Sequence, residues 1–252
     1  MRRDTGATGR IGAMTRMGVT LLLREPGPLV SRLVMPVLLM TLLAPLYRAA
    51  TDQGTQRAVT GQAVMFSLLA LSMVGQGIMS ERTWRTWDRL RCSPTSPAEM
   101  LAAKAVPPLA FLAAQQVVVL GVGAALLGLR VPHAGLLLAA EAAWVLMLLA
   151  VGMALAATMR SPAELVAAQD VGGLVLTGLG GALVPLSLMP HAAQVLAPLS
   201  PGYWGVTGLL GALQGDRAAV LRSVLVLVVI ALAAWAVAVR RVRRGWSRRD
   251  LV

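Results

Sequence analysis

Apolar residues gather in six runs along this chain, at about residues 29–47, 61–80, 105–128, 135–157, 166–188 and 219–239. Each is near the roughly 20 residues that an α-helix needs to cross a bilayer. A span must satisfy its own backbone, so the pattern predicts an all-α polytopic membrane protein with six transmembrane helices. Ahead of the runs, Ile11, Met14, Met17 and Leu21 recur at helical spacing, with Arg10, Arg16 and Arg24 beside them. That spacing predicts an amphipathic interfacial helix on the cytoplasmic side; the competing reading is a ragged start to the first span. Pro26-Gly27-Pro28 ends it. No internal repeat of spans stands out.

The longest polar interruption is residues 81–104. Read as a helix, its first part puts Trp84, Trp87, Asp88 and Arg91 on one side and Arg82, Arg85 and Arg89 on the other. Ser93, Pro94, Thr95 and Ser96 break that pattern. Ser96-Pro97-Ala98-Glu99 is a capping box with proline at the first helical position, which predicts a new short helix. Helix, break and capped helix make an elbow between spans two and three, a cytoplasmic coupling helix that takes a push from a partner. A basic loop resting on anionic lipid is the simpler reading. It needs none of the paired tryptophans, the cap, or the acids Glu81, Asp88 and Glu99.

Residues 189–217 are too apolar for a solvated loop and too broken by Pro190, Pro198 and Pro201 for a span. Short helices dipping into the outer leaflet fit both facts. Tyr203 and Trp204 suit the headgroup level, and Gly205, Gly208 and Gly211 allow close packing along one side.

Composition agrees with a membrane protein: 57% of residues are hydrophobic and 13% charged, where a soluble domain carries about a quarter charged residues. The net charge of +12 raises the question of nucleic acid, but the arginines flank apolar runs with few aromatics between them. The positive-inside rule accounts for them better. With both termini cytoplasmic, only Arg48, Arg57, Arg130, Arg217 and Arg222 of the 23 basic residues fall outside. The chain thus divides into a cytoplasmic N-terminus (1–28), a membrane domain (29–239) containing the elbow, and a basic cytoplasmic tail (240–252). The first thirty residues hold no uninterrupted apolar core of the kind that marks a cleavable signal.

Catalytic and metal chemistry are not indicated. Cys92 is the one cysteine, and His133 and His191 stand far apart. The single lysine, Lys104 in Ala-Ala-Lys-Ala, rules out a Walker loop, and no G-x-S-x-G exists. Gly121-Val122-Gly123 and Gly178-Leu179-Gly180-Gly181 read as helix-packing glycines. Two acids lie within apolar runs, Glu141 and Asp170. With Gln115 and Gln116 they are candidates for a substrate path or a proton relay; the plainer reading makes them polar groups paired inside the bundle.

Residues 66–108 resemble the signature region of ABC-2 type transporter permeases, in particular the daunorubicin-resistance type of actinobacterial drug exporters. Glu81, Arg82, Thr86, Asp88, Arg89, Leu90, Ser93, Pro94 and Lys104 carry that resemblance. The stretch Ala197-Pro198-Leu199-Ser200-Pro201-Gly202-Tyr203 is similar to the family's proline-tyrosine motif in the last outer loop, which makes Pro201, Tyr203 and Trp204 an outer gate. The sequence departs at Arg85 and Ala103, where many members have glycine. The resemblance implies a permease subunit of an ABC exporter in a bacterial plasma membrane. ATP and Mg would be bound by a nucleotide-binding subunit present in two copies, with no cofactor in this chain. A second permease chain, identical or homologous, would complete the unit. Trp84, Trp87, Asp88 and Arg89 would then dock the ATPase, and Glu81 and Arg82 would tie the elbow to span two. Spans with few fixed charges suit hydrophobic or amphipathic drugs, antibiotics or lipids as cargo. The rival classes are a proton-coupled carrier using Glu141 and Asp170, and a membrane scaffold that moves nothing.

Overall fold

The computed structural model describes residues 7–24, 26–50, 53–69, 71, 75, 77, 79 and 97–244. Among these residues the regular elements are all helical: α1 (Ala7–Arg24), α2 (Pro26–Ala50), α3 (Gly54–Leu69), α4 (Pro97–Leu127), α5 (Ala134–Thr158), α6 (Pro162–Leu179), α7 (His191–Leu196), α8 (Pro201–Gln214) and α9 (Arg217–Arg244). Leu71, Gly75, Gly77 and Met79, beyond α3, are helical too. Among the described residues, four helices hold a stretch long and apolar enough to cross a membrane: Leu29–Ala49, Glu99–Leu127, Ala134–Thr158 and Arg217–Val242.

Several predicted boundaries move. α3 starts at Gly54 rather than near residue 61. The short capped helix expected at Ser96–Glu99 is not separate: it is the first turn of α4, which runs unbroken for 31 residues through Pro107 and Pro108. The apolar run 166–188 is α-helical only to Leu179, because Gly181 takes a left-handed φ of +76° and turns the chain; a single 3-10 turn follows at Leu186–Leu188. α6 is also diluted by Gln169, Asp170, Gly172 and Gly173, so it does not reach the apolarity of the four spans.

Prolines inside a helix remove an N–H and leave the carbonyl four residues earlier unpaired within the helix. Two of these carbonyls are met by a neighbouring helix. Pro36 releases the Arg32 carbonyl, which accepts from Gln115 Nε2 of α4 at 3.0 Å. Pro107 releases the Ala103 carbonyl, toward which Thr15 Oγ1 of α1 donates a long bond of 3.5 Å. Gly18 is required beside it, since a Cβ there would lie 2.9 Å from Pro107 Cγ. α1 is therefore docked on the first turns of α4.

Ser96-Pro97-Ala98-Glu99-Met100-Leu101-Ala102-Ala103-Lys104 recurs as Ser161-Pro162-Ala163-Glu164-Leu165-Val166-Ala167-Ala168-Gln169. This short repeat opens α4 and α6. In the second copy Ser161 Oγ accepts from the Glu164 N–H at 3.1 Å, and Glu164 Oε2 accepts from the Arg160 N–H at 2.7 Å, so the cap is closed from both sides. Met100 and Leu165, at the same place in each copy, are both buried.

The core has two parts joined by α5. One gathers Val59, Val64, Trp144, Leu148, Leu209 and Leu227; the other gathers Met79, Leu101, Leu112, Met153, Leu165 and Ala238. α9 packs along α5.

Candidate functional site

Trp144 of α5 is fully buried. Its indole N–H donates to Ser67 Oγ of α3 at 2.7 Å, and that hydroxyl donates to the Val64 carbonyl at 2.8 Å. The opposite side of the ring meets Gly205 of α8, where a Cβ would lie 2.8 Å away. Further along α8, a Cβ on Gly208 would lie 3.0 Å from Ser223 Cβ and 3.6 Å from Ala140 Cβ, and one on Gly211 would lie 3.0 Å from Ala219 Cβ. The three glycines thus let α8 lie directly on α5 and α9.

Glu141 sits one turn from Trp144. It is 8% exposed, and neither carboxylate oxygen has a hydrogen-bond partner among the described residues. Gln62 of α3 leaves both amide atoms unpaired, and Ser223 Oγ and Gln116 Oε1 are also unpaired. Gln116 Nε2 donates to the Ala63 carbonyl at 3.5 Å. α3 runs opposite to α4, since Val59 meets Gly123 and Ala63 meets Gln116. α5 also runs opposite to α4 across a short turn, so α3 and α5 point the same way. Measured from the Trp144–Ser67 bond, Gln62, Gln116 and Glu141 fall within a band about 8 Å deep at 1.5 Å per residue. Each unpaired buried polar group costs about 1–3 kcal/mol.

The other two candidates for a path differ. The Gln115 amide nitrogen is committed to the carbonyl released by Pro36. Asp170 is exposed on α6, among the exposed Val166, Val171 and Leu174.

Gln169, next to Asp170, was not singled out by the sequence. It is buried, and its Nε2 donates to the Leu71 carbonyl at 2.9 Å. Lys104, its counterpart in the repeat, donates from Nζ to the Gly77 carbonyl at 3.3 Å. Both copies of the repeat therefore end on a backbone carbonyl between α3 and the elbow. Gly75 lies between them, where a Cβ would be 2.4 Å from Gln169 Nε2. Glu81, Arg82, Trp84, Trp87, Asp88 and Arg89 lie outside the described residues.

At the start of α8, Ser200 Oγ donates to the Leu176 carbonyl at 2.7 Å and accepts from the Gly202 N–H at 3.1 Å. This fixes the start of α8 to the end of α6. Pro201, Tyr203 and Trp204 are half-buried there. The two rings pack edge to face with centroids 5.1 Å apart, and Trp204 Nε1 donates to the Pro198 carbonyl at 2.9 Å. The Tyr47 hydroxyl of α2 donates to the Leu183 carbonyl, holding the turn after α6.

Among the described residues no three His, Cys, Asp or Glu side chains are grouped to hold a metal ion. No curated protein matches the chain. The family model for the ABC-2 type transporter matches residues 10–213, from α1 to the end of α8. Permeases of that family generally pair with separate ATPase subunits. The membrane-length helices and a match over most of the sequence agree: this chain belongs to the ABC-2 type transporter family, as a multi-pass, non-catalytic membrane permease component.

Proposed function

We propose that the chain is the permease of an ABC exporter in a bacterial plasma membrane, moving hydrophobic or amphipathic drugs, antibiotics or lipids outward. Six spans, with both termini cytoplasmic, follow from taking residues 54–79 and α6 as spans two and five. The charge bias of the arginines supports that orientation. α7 and α8 then belong to the outer leaflet, with Pro201, Tyr203 and Trp204 at the outer gate.

The observation that carries the reading is the grip on the stretch between α3 and the elbow. Lys104 and Gln169 hold the Gly77 and Leu71 carbonyls from two different helices. A push delivered to residues 81–96 is then passed to α4 and α6 together. Trp84, Trp87, Asp88 and Arg89 dock one of two ATPase subunits, which bind ATP and Mg, and Glu81 and Arg82 join the elbow to span two. The polar band of Gln62, Gln116 and Glu141 offers cargo its hydrogen-bonding groups, while Gln115 serves mainly to hold α2. A second permease, identical or homologous, covers the α6 face that exposes Asp170, since an ionisable group facing lipid is costly.

The unpaired carboxyl of Glu141 favours one second reading, a proton-coupled carrier. Proteoliposomes containing only this chain separate the two. Cargo movement driven by a pH gradient supports the carrier; movement that requires the ATPase and ATP supports the exporter.

A further inference from the structure

Where α2, α3 and α4 meet, at the opposite end of the bundle from the elbow, there is a cavity of about 380 Å³ whose lining includes Arg48, Thr55, Gln56, Gly128 and Arg130. It lies just past Ala49 and Leu127, the last residues of two membrane-length stretches, and so at the depth of lipid headgroups. Gly54 opens α3 there, so the first N–H groups of that helix border the cavity. The Arg48 guanidinium is held in place by the Leu127 carbonyl at 3.2 Å and Thr55 Oγ1 at 3.2 Å. Arg130 is exposed, and no acid lines the cavity among the described residues; Asp52, close by in sequence, lies outside them.

We propose that this recess binds a phosphate ester, as in a phosphoglycerol headgroup. Arg48, Arg130 and the start of α3 meet the phosphate oxygens. Arginine is matched to phosphate by its planar fork of donors. That this end faces outward rests on the proposed topology; the binding does not.

The test uses the purified full chain in a neutral detergent, with bound ligand counted by native mass spectrometry. Phosphatidylglycerol is titrated against a neutral glycolipid of the same acyl chains, and soluble glycerol 3-phosphate is added as competitor. Phosphatidylglycerol is expected to bind about tenfold more tightly than the glycolipid. Arg130→Gln weakens it about fivefold, Arg130→Lys retains most of it, and Arg217→Gln, outside the recess, leaves it unchanged. Competition by glycerol 3-phosphate identifies a soluble ester as the ligand; its failure to compete identifies the lipid. Equal binding of the two lipids, or equal losses in Arg130→Gln and Arg217→Gln, overturns the proposal. Because no ATPase or cargo is present, this result stands apart from the exporter reading.

Discussion

Trp144 and Gly205 meet so closely that a single methyl group on the glycine would lie 2.8 Å from the indole ring. The same indole is tied to Ser67 on its other side, so α3, α5 and α8 are joined through one side chain. A tilt of α3, which leads toward the elbow, is therefore felt at α8. Gly205→Ala overfills this contact at a cost of about 1–3 kcal/mol. A lower unfolding temperature of the detergent-solubilised chain is expected, whereas Gly172→Ala, with nothing within 4 Å of the new methyl, holds or raises it.

Gln115 and Pro36 act as a pair although they lie on different helices. Gln115→Leu removes the donor to the Arg32 carbonyl and is expected to cost about 1–2 kcal/mol. Pro36→Ala restores a backbone N–H that can bond the same carbonyl. In that background Gln115→Leu is expected to cost less, and a double-mutant cycle measures the difference. Additive effects would separate the two residues.

How far the fold was legible follows from what hydropathy registers. α2, α5 and α9 lie close to their apolar runs because no polar stretch divides them; Pro36 and Pro45 inside α2 leave its hydropathy unbroken. The end of α6 was missed because Gly180 and Gly181 scarcely change hydropathy, although the left-handed φ of Gly181 turns the chain. α4 reads as two pieces in the sequence because the polar stretch that ends at Lys104 separates the Ser96 cap from the apolar run starting at residue 105; docking of Thr15 and Gly18 of α1 beside Pro107 is not visible there. Gln169 was legible but overlooked. Its place in the repeated Ser-Pro-Ala-Glu segment matches that of Lys104, while Asp170 beside it stands out by its charge. Glu141 was found by its charge alone, but its lack of a partner is a tertiary fact. The recess joins Arg48 to Arg130 from distant parts of the chain, which no local pattern indicates.

Gln169→Leu keeps the bulk of the side chain and removes its bond to the Leu71 carbonyl. ATPase association is expected to stay at the wild-type level while ATP-driven transport falls about fivefold, as the loss of a bond worth about 1 kcal/mol implies. A pull-down beside a transport assay reads both. Equal losses in the two would place Gln169 in general folding instead of coupling.

Glu141→Gln replaces an unpaired carboxyl with a neutral amide in the same volume. Stability at neutral pH is expected to hold or to rise by about 1 kcal/mol. Transport of cargo bearing a protonated amine is expected to fall relative to neutral cargo of similar size. Equal effects on both cargos would remove Glu141 from the path.

The most direct test of the central claim is cargo transport in proteoliposomes containing this permease and its ATPase, compared between wild type and Trp87→Ala at equal membrane insertion. The account predicts transport that requires ATP and is lost, together with ATPase association, in Trp87→Ala. Transport by the chain alone without ATP, or an unaffected Trp87→Ala variant, would contradict it.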